Sequence, residues 1–201
     1  MSPVADPTTD GVRRGPGRPR SPEADHAILD ATISLLAEGG YDALTMEKVA
    51  ARAGVGKATV YRRWGSKVEL AVDALRTSMA EVEVQTSGSL RSDLIGYVSG
   101  MITWLRESTG RVMAGLSAEI QHNRELAEAL RANLVAPRRA VMRKALCDAE
   151  ARGDIRAGTD LELVLDLLAG PLFLRLLISG GAIELSSAAK IVDIVLGGIT
   201  P

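Results

Sequence analysis

The chain has 201 residues, 46% of them apolar and only 3% aromatic, with a formal net charge of −1. That length holds one large domain or two small ones with a real core, and the weight of Ala, Leu and Val over aromatics leans all-α. A near-zero net charge excludes a protein that coats polyanions in general. The single cysteine, Cys147, excludes an internal disulfide and a paired-cysteine metal site. It reads as a small apolar helix residue in a reducing cytoplasm.

Charge is unevenly placed along the chain. Residues 11–67 hold ten Lys/Arg against six Asp/Glu, and residues 68–201 hold fourteen against seventeen. A basic front end on an acidic body points to a local contact with a polyanion. The N-terminus has no apolar signal core. The most apolar stretch, Leu161 to Ile183, carries Glu162, Asp166, Pro171 and Arg175, too polar a set for a membrane span.

Residues 1–20 are rich in Pro, Gly and Arg and read as a disordered basic arm. Ser21-Pro22-Glu23 then opens a first helix, with Ser as cap, Pro at the first helical position and Glu in the first turn. Ile28, Thr32, Leu35 and Leu36 share one face of it, and Gly39-Gly40 ends it. A second helix starts at Thr45 and breaks at Gly54. A third begins near Gly56 and runs to about Arg63, where Gly65 stops it. Ser66-Lys67-Val68-Glu69 has the form of a capping box and opens a fourth helix, to about residue 84. Further helices are expected at about 89–107, 110–121, 123–152, 160–179 and 187–199. Pro137 is expected to bend or split the third of these, and Pro171 to kink or divide the fourth.

Two short helices joined by a glycine-containing turn outline a helix-turn-helix at about residues 45–64. The second helix of such a unit enters the major groove, so its inner face must be apolar and its outer face small or hydrogen-bonding. Val60 and Trp64, four apart, suit the inner face. Lys57, Ala58, Thr59, Arg62 and Arg63 remain on or near the outer side. Arg pairs with guanine edges there, and Thr or Ala methyls meet thymine methyls. The bland alternative for both arginines is a solvated basic face.

The run from Thr45 to Lys67, with Tyr61 near the end of the third helix, an aromatic three residues later and Ser66-Lys67 opening the next helix, resembles the signature of the tetracycline-repressor (TetR) family. Gly39-Gly40-Tyr41 before Leu44-Thr45 agrees with it. The specific pattern spans about residues 22–75. The resemblance implies that Thr45, Tyr61 and Lys67 contact phosphates and that residues 56–63 face the groove. Two positions depart from the family pattern. Gly56 stands where a Ser cap is usual, and Arg62-Arg63-Trp64 replaces His-Phe.

The resemblance also implies the organisation: a basic arm at 1–20, a three-helix DNA-binding domain at 21–67 and a helical bundle at 68–201 for effector binding and dimerisation. It implies a sequence-specific regulator of transcription, most simply a repressor released from a palindromic operator by a small apolar ligand. The rival reading is an architectural DNA-binding protein without an effector.

Two further features bear on this. Arg13 to Arg20 contains Gly-Arg-Pro, which resembles an AT-hook core; Arg18 and Arg20 would then sit in a narrow minor groove. The alternative is a floppy basic tail with nonspecific attraction. In the body, Met101, Trp104, Leu105, Met113, Leu116 and Ile120, with His122 and Phe173 as neighbours, are candidate ligand contacts or plain core. Leu161, Leu165, Leu168, Leu172 and Leu176, with Ile191 and Val195, are the candidate homodimer contacts, because a helix apolar nearly all round is buried on nearly all sides. Burial within one subunit is the other possibility. No cofactor or metal is implied. Two histidines, one cysteine and the absence of a phosphate loop or Gly-x-Ser-x-Gly argue against an enzyme.

Overall fold

A computed structural model describes residues 22–80 and 87–201, so Ser21, Arg18 and Arg20 lie outside the described residues. Every regular element among the described residues is helical. Helix α1 (Pro22–Ala43) starts with Glu23 and Asp25 in its first turn, where the positive end of the helix dipole favours carboxylates. Ile28, Leu29, Thr32 and Leu36 are buried along it. Thr32 satisfies its own hydroxyl by donating to the Ile28 carbonyl at 2.8 Å. Gly40 interrupts the helix at φ 68°, ψ −171°, a conformation that only glycine adopts cheaply.

Helix α2 (Met46–Arg52) is capped by Thr45, whose Oγ1 accepts from Lys48 N at 3.2 Å. Helix α3 (Lys57–Tyr61) is shorter than its sequence suggests, and a turn carries the chain on to Trp64. Helix α4 (Lys67–Ala80) has a modified capping box. Ser66 Oγ accepts from Glu69 N at 3.1 Å, but Glu69 Oε2 reaches Gly65 N, one residue before the usual target, at 2.7 Å.

The body continues with α5 (Leu90–Arg106), α6 (Ser108–His122), α7 (Arg124–Leu130) and α8 (Ala136–Arg152). The α5–α6 corner is so tight that a Cβ on Gly110 would lie 1.9 Å from the Leu105 carbonyl oxygen. Asn123 caps α7 through its Oδ1, and its amide donates to Glu119 on α6. The single helix expected over 123–152 is split by a five-residue π turn at Arg131–Val135, just before Pro137. Proline offers no N–H, so the chain loosens its register one turn upstream.

Helix α9 (Leu161–Leu174) is not divided at Pro171. Gly170 precedes that proline and has no Cβ to clash with its ring, which lets the α conformation continue. A second π turn, Arg175–Ser179, follows, and α10 (Ser187–Ile199) closes the chain. Arg91 on α5 clasps Asp193 on α10 with two hydrogen bonds of 2.7 and 2.9 Å. Arg139 on α8 bridges Glu162 and Asp166 on α9. One apolar core runs without a break from Ile28 and Leu36 through Leu70 and Leu75 to Leu146 and Leu165. No helix among the described residues is long and apolar enough to cross a membrane.

Candidate nucleic-acid interface and cavity

Helices α2 and α3 form the helix-turn-helix, with Gly54 at φ 66° in the turn. Val60 is completely buried and Trp64 is 5% exposed, so these two clamp α3 from beneath. Trp64 also anchors the segment to α4, its Nε1 donating to Asp73 Oδ2 at 2.9 Å.

On the opposite face Gly56, Lys57, Ala58, Tyr61 and Arg62 are exposed, and Thr59 is half-buried. Gly56 caps α3 without a side-chain bond, so one donor at that N-terminus is left for another acceptor. The Lys57 ammonium pairs with Glu47 on α2 and lies 5.6 Å from the centre of the Tyr61 ring. The Lys57 contact holds the Glu47 carboxyl below its usual range, and the Tyr61 hydroxyl adds to this. Arg62 is exposed and has no ion pair among the described residues. Thr45 lies half-buried at the other end of this surface.

Two residues expected at DNA point elsewhere. Arg63 turns back to α1, where its Nε lies 2.5 Å from Asp25 Oδ1, and its side chain is only 10% exposed. Lys67 donates to the Tyr41 carbonyl at 3.0 Å and stacks over the Tyr41 ring at 3.9 Å. Tyr41 is itself buried, and desolvation, with Glu119 and Glu125 nearby, pushes its phenol up to about 12. Both cations therefore brace the head against α1.

In the body a cavity of about 370 Å³ opens between α5, α6, α8 and α9. Of the eight residues expected there, Met101, Trp104, Met113 and Phe173 line it. Leu105 and Leu116 are buried in the surrounding core, Ile120 is partly buried, and His122 is exposed. Sequence reasoning missed the rest of the wall, which includes Met79, Tyr97, Leu134, Arg138 and Ala169. Tyr97 and Arg138 become neighbours at the wall only because the fold brings α5 and α8 together. The cavity wall is tied to α4 twice: Trp104 Nε1 donates to Ser78 Oγ at 3.2 Å, and Arg138 Nη1 to the Met79 carbonyl at 3.1 Å.

The expected dimer contacts also divide. Leu165, Leu168 and Leu172 are 0% exposed and Val195 is 8%, so they fill the protomer's own core. Leu161, Leu176 and Ile191 are partly buried against it. The large apolar side chains that α9, its π turn and α10 leave in the open are others: Leu163, Leu167, Leu174, Leu177, Ile178 and Ile194, each between 40% and 79% exposed.

Comparison with known proteins agrees with this architecture. Residues 28–74 match the family described as bacterial regulatory proteins, tetR family, and residues 84–195 match the tetracyclin repressor-like C-terminal domain. An uncharacterised HTH-type transcriptional regulator of Bacillus subtilis, YdeS, is 34% identical over 91% of this chain and 93% of its own length. The DNA-binding transcriptional repressor TetR of Mycobacteroides abscessus is 32% identical over 85% of this chain and 90% of its own. The crystal structure of the TetR family regulator SCO0332 superposes with a TM-score of 0.70 at 31% identity, covering 89% of this chain and all of that one. With its helix-turn-helix clamped by Val60 and Trp64 and both domain matches in chain order, the protein belongs to the TetR family of DNA-binding transcriptional regulators.

Proposed function

We propose that the protein is a homodimeric repressor that leaves a roughly palindromic operator when a small apolar effector fills the α5–α6–α8–α9 cavity. The observation that carries this reading is the pair of hydrogen bonds from the cavity wall to Ser78 and Met79 at the end of α4. The opposite end of α4 starts at Lys67, directly after the recognition segment. A ligand that moves Trp104 or Arg138 therefore shifts a rigid helix joined to the reading head, biasing it between two positions.

Tyr61 and Arg62 supply the main contacts from α3, with Lys57, Ala58 and Thr59 beside them and Thr45 and Gly56 offering helix-terminal donors. Arg18 and Arg20 of the arm add a minor-groove contact. Two-fold pairing through Leu163, Leu167, Leu174, Ile178 and Ile194 buries the exposed apolar stripe and sets two heads on successive turns of DNA. An architectural DNA binder has no need of an internal cavity, and the cavity favours the effector-responsive reading.

The test is fluorescence anisotropy with duplexes drawn from the DNA flanking the gene, against random duplexes, at two salt concentrations. Specific binding is expected to exceed random binding by at least about a thousandfold. Equal affinity for both duplex types would remove the repressor reading.

A further inference from the structure

Lys57 is held differently from other cations of the head. Lys48 and Arg52 on α2 turn toward α1, donating to the Ala43 carbonyl and to Glu38. Arg63 and Lys67 brace α1 through Asp25 and Tyr41. Lys57, the first residue of α3, is paired from within the helix-turn-helix, by Glu47 in the first turn of α2. Both side chains stand more than half in solvent, beside the exposed Tyr61.

An ion pair so exposed adds little to stability. The packing of the two helices does not depend on it, because both already bury apolar side chains: Met46, Val49 and Ala50 from α2 and Val60 from α3. The helix dipole favours a carboxylate in the first turn of α2, but it does not ask that carboxylate to reach Lys57. What the pair does fix is direction. The Lys57 ammonium lies over the Tyr61 ring, 5.6 Å from its centre, and the Tyr61 hydroxyl bonds to the same Glu47 carboxylate. Three groups from two helices are thereby joined in one unit. Glu47 and Lys57 each favour the charged form of the other, mainly through their shared hydrogen bond.

A free lysine is a flexible stem ending in a point charge, which suits any phosphate equally. Phosphate contacts raise affinity without carrying sequence information, and a carboxylate beside them opposes that gain. We propose that Glu47 is a positioning residue for DNA recognition: it tethers Lys57 across Tyr61, aiming the ammonium into the groove and withholding it from phosphates. This rests on the reading of α3 as the helix that meets DNA.

The test is a double-mutant cycle on the full chain: Glu47→Gln, Lys57→Met and the two together. Each is titrated over a range of salt with a random-sequence duplex and with duplexes from the DNA flanking the gene. Glu47→Gln releases the ammonium and is expected to bind the random duplex about tenfold more tightly at about 0.1 M salt, with a salt slope steeper by about one unit. The flanking duplexes should gain less, so the ratio of the two affinities falls. In the Lys57→Met background the same substitution should leave the slope unchanged, since no ammonium is there to release. An equal gain in both backgrounds makes Glu47 a diffuse charge and overturns the tether. An unchanged slope in Glu47→Gln overturns it too, and a fall in melting temperature without a change in slope makes the pair structural. If Lys57→Met still weakens binding to the flanking duplexes, the α3 reading survives that failure. If neither Lys57→Met nor Tyr61→Phe changes binding to any duplex, DNA lies elsewhere and the α3 reading falls as well.

Discussion

Arg63 Nε sits 2.5 Å from Asp25 Oδ1, so the two consecutive arginines after the recognition helix do opposite jobs. Arg62 is open to solvent, whereas Arg63 joins the head to α1. Arg62→Ala should weaken operator binding by about 1–3 kcal/mol if it reads a base, with unchanged thermal stability. Arg63→Ala should do the reverse in kind. It strips the partner from a partly buried carboxylate and should lower unfolding stability by about 1–3 kcal/mol. Chemical denaturation and DNA titration of both variants at several salt concentrations check the division.

Lys67 should behave as a structural cation. Its ammonium already holds the Tyr41 carbonyl and ring, so Lys67→Met should leave the salt dependence of DNA binding unchanged while lowering the melting temperature. A loss of about one unit in the salt slope would show instead that Lys67 meets a phosphate.

Tyr41 gives the head a base-sensitive contribution. Its phenol ionises at about 12 when folded and near 10 in a free chain. Between those values the unfolded state has lost a proton that the folded state keeps, so stability falls as pH rises from about 10 to 12. Tyr41→Phe should flatten stability over that window, read by urea titration at each pH.

Position 56 is open to repair. Gly56 caps α3 with ψ 141° and no side-chain bond, and a Cβ there would meet nothing closer than Thr59 Oγ1 at 3.9 Å. Gly56→Ser should stabilise the head by a few tenths of a kcal/mol, while Thr45→Ala should cost about 1 kcal/mol at α2.

Ile194→Glu and Leu167→Glu should yield folded monomers by light scattering, since both side chains lie in the open on a protomer. Leu168→Glu, one residue from Leu167 but completely buried, should prevent folding. A folded monomer from Leu168→Glu would place the interface on the face that the packing of α9 assigns to the core.

The helix-turn-helix was legible because its signals are local. Thr45, Gly54, Gly56 and the Val60–Trp64 spacing each act within one or two turns of chain. Arg63 and Lys67 were not, because Asp25 and Tyr41, which capture them, lie far upstream and reach them only through the packing of α1. The same limit applies to α9. A helix apolar on most sides announces burial, but periodicity alone does not say which leucines meet the protomer's own core. Leu165, Leu168 and Leu172 do, and Leu163, Leu167 and Leu174 do not. The cavity was half legible: Met101, Trp104, Met113 and Phe173 stood out by type, while Tyr97 and Arg138 gained their place only from the meeting of α5 and α8.

The two tryptophans divide the molecule between them. Trp64 lies under the recognition helix beside Asp73, and Trp104 forms part of the cavity wall beside Ser78. The protein therefore carries two native fluorophores, one bonded to the middle of α4 and one near its C-terminal end. A quencher or ligand in the cavity darkens the first to be reached, and any later change at the other times the arrival of the signal at the DNA-reading head.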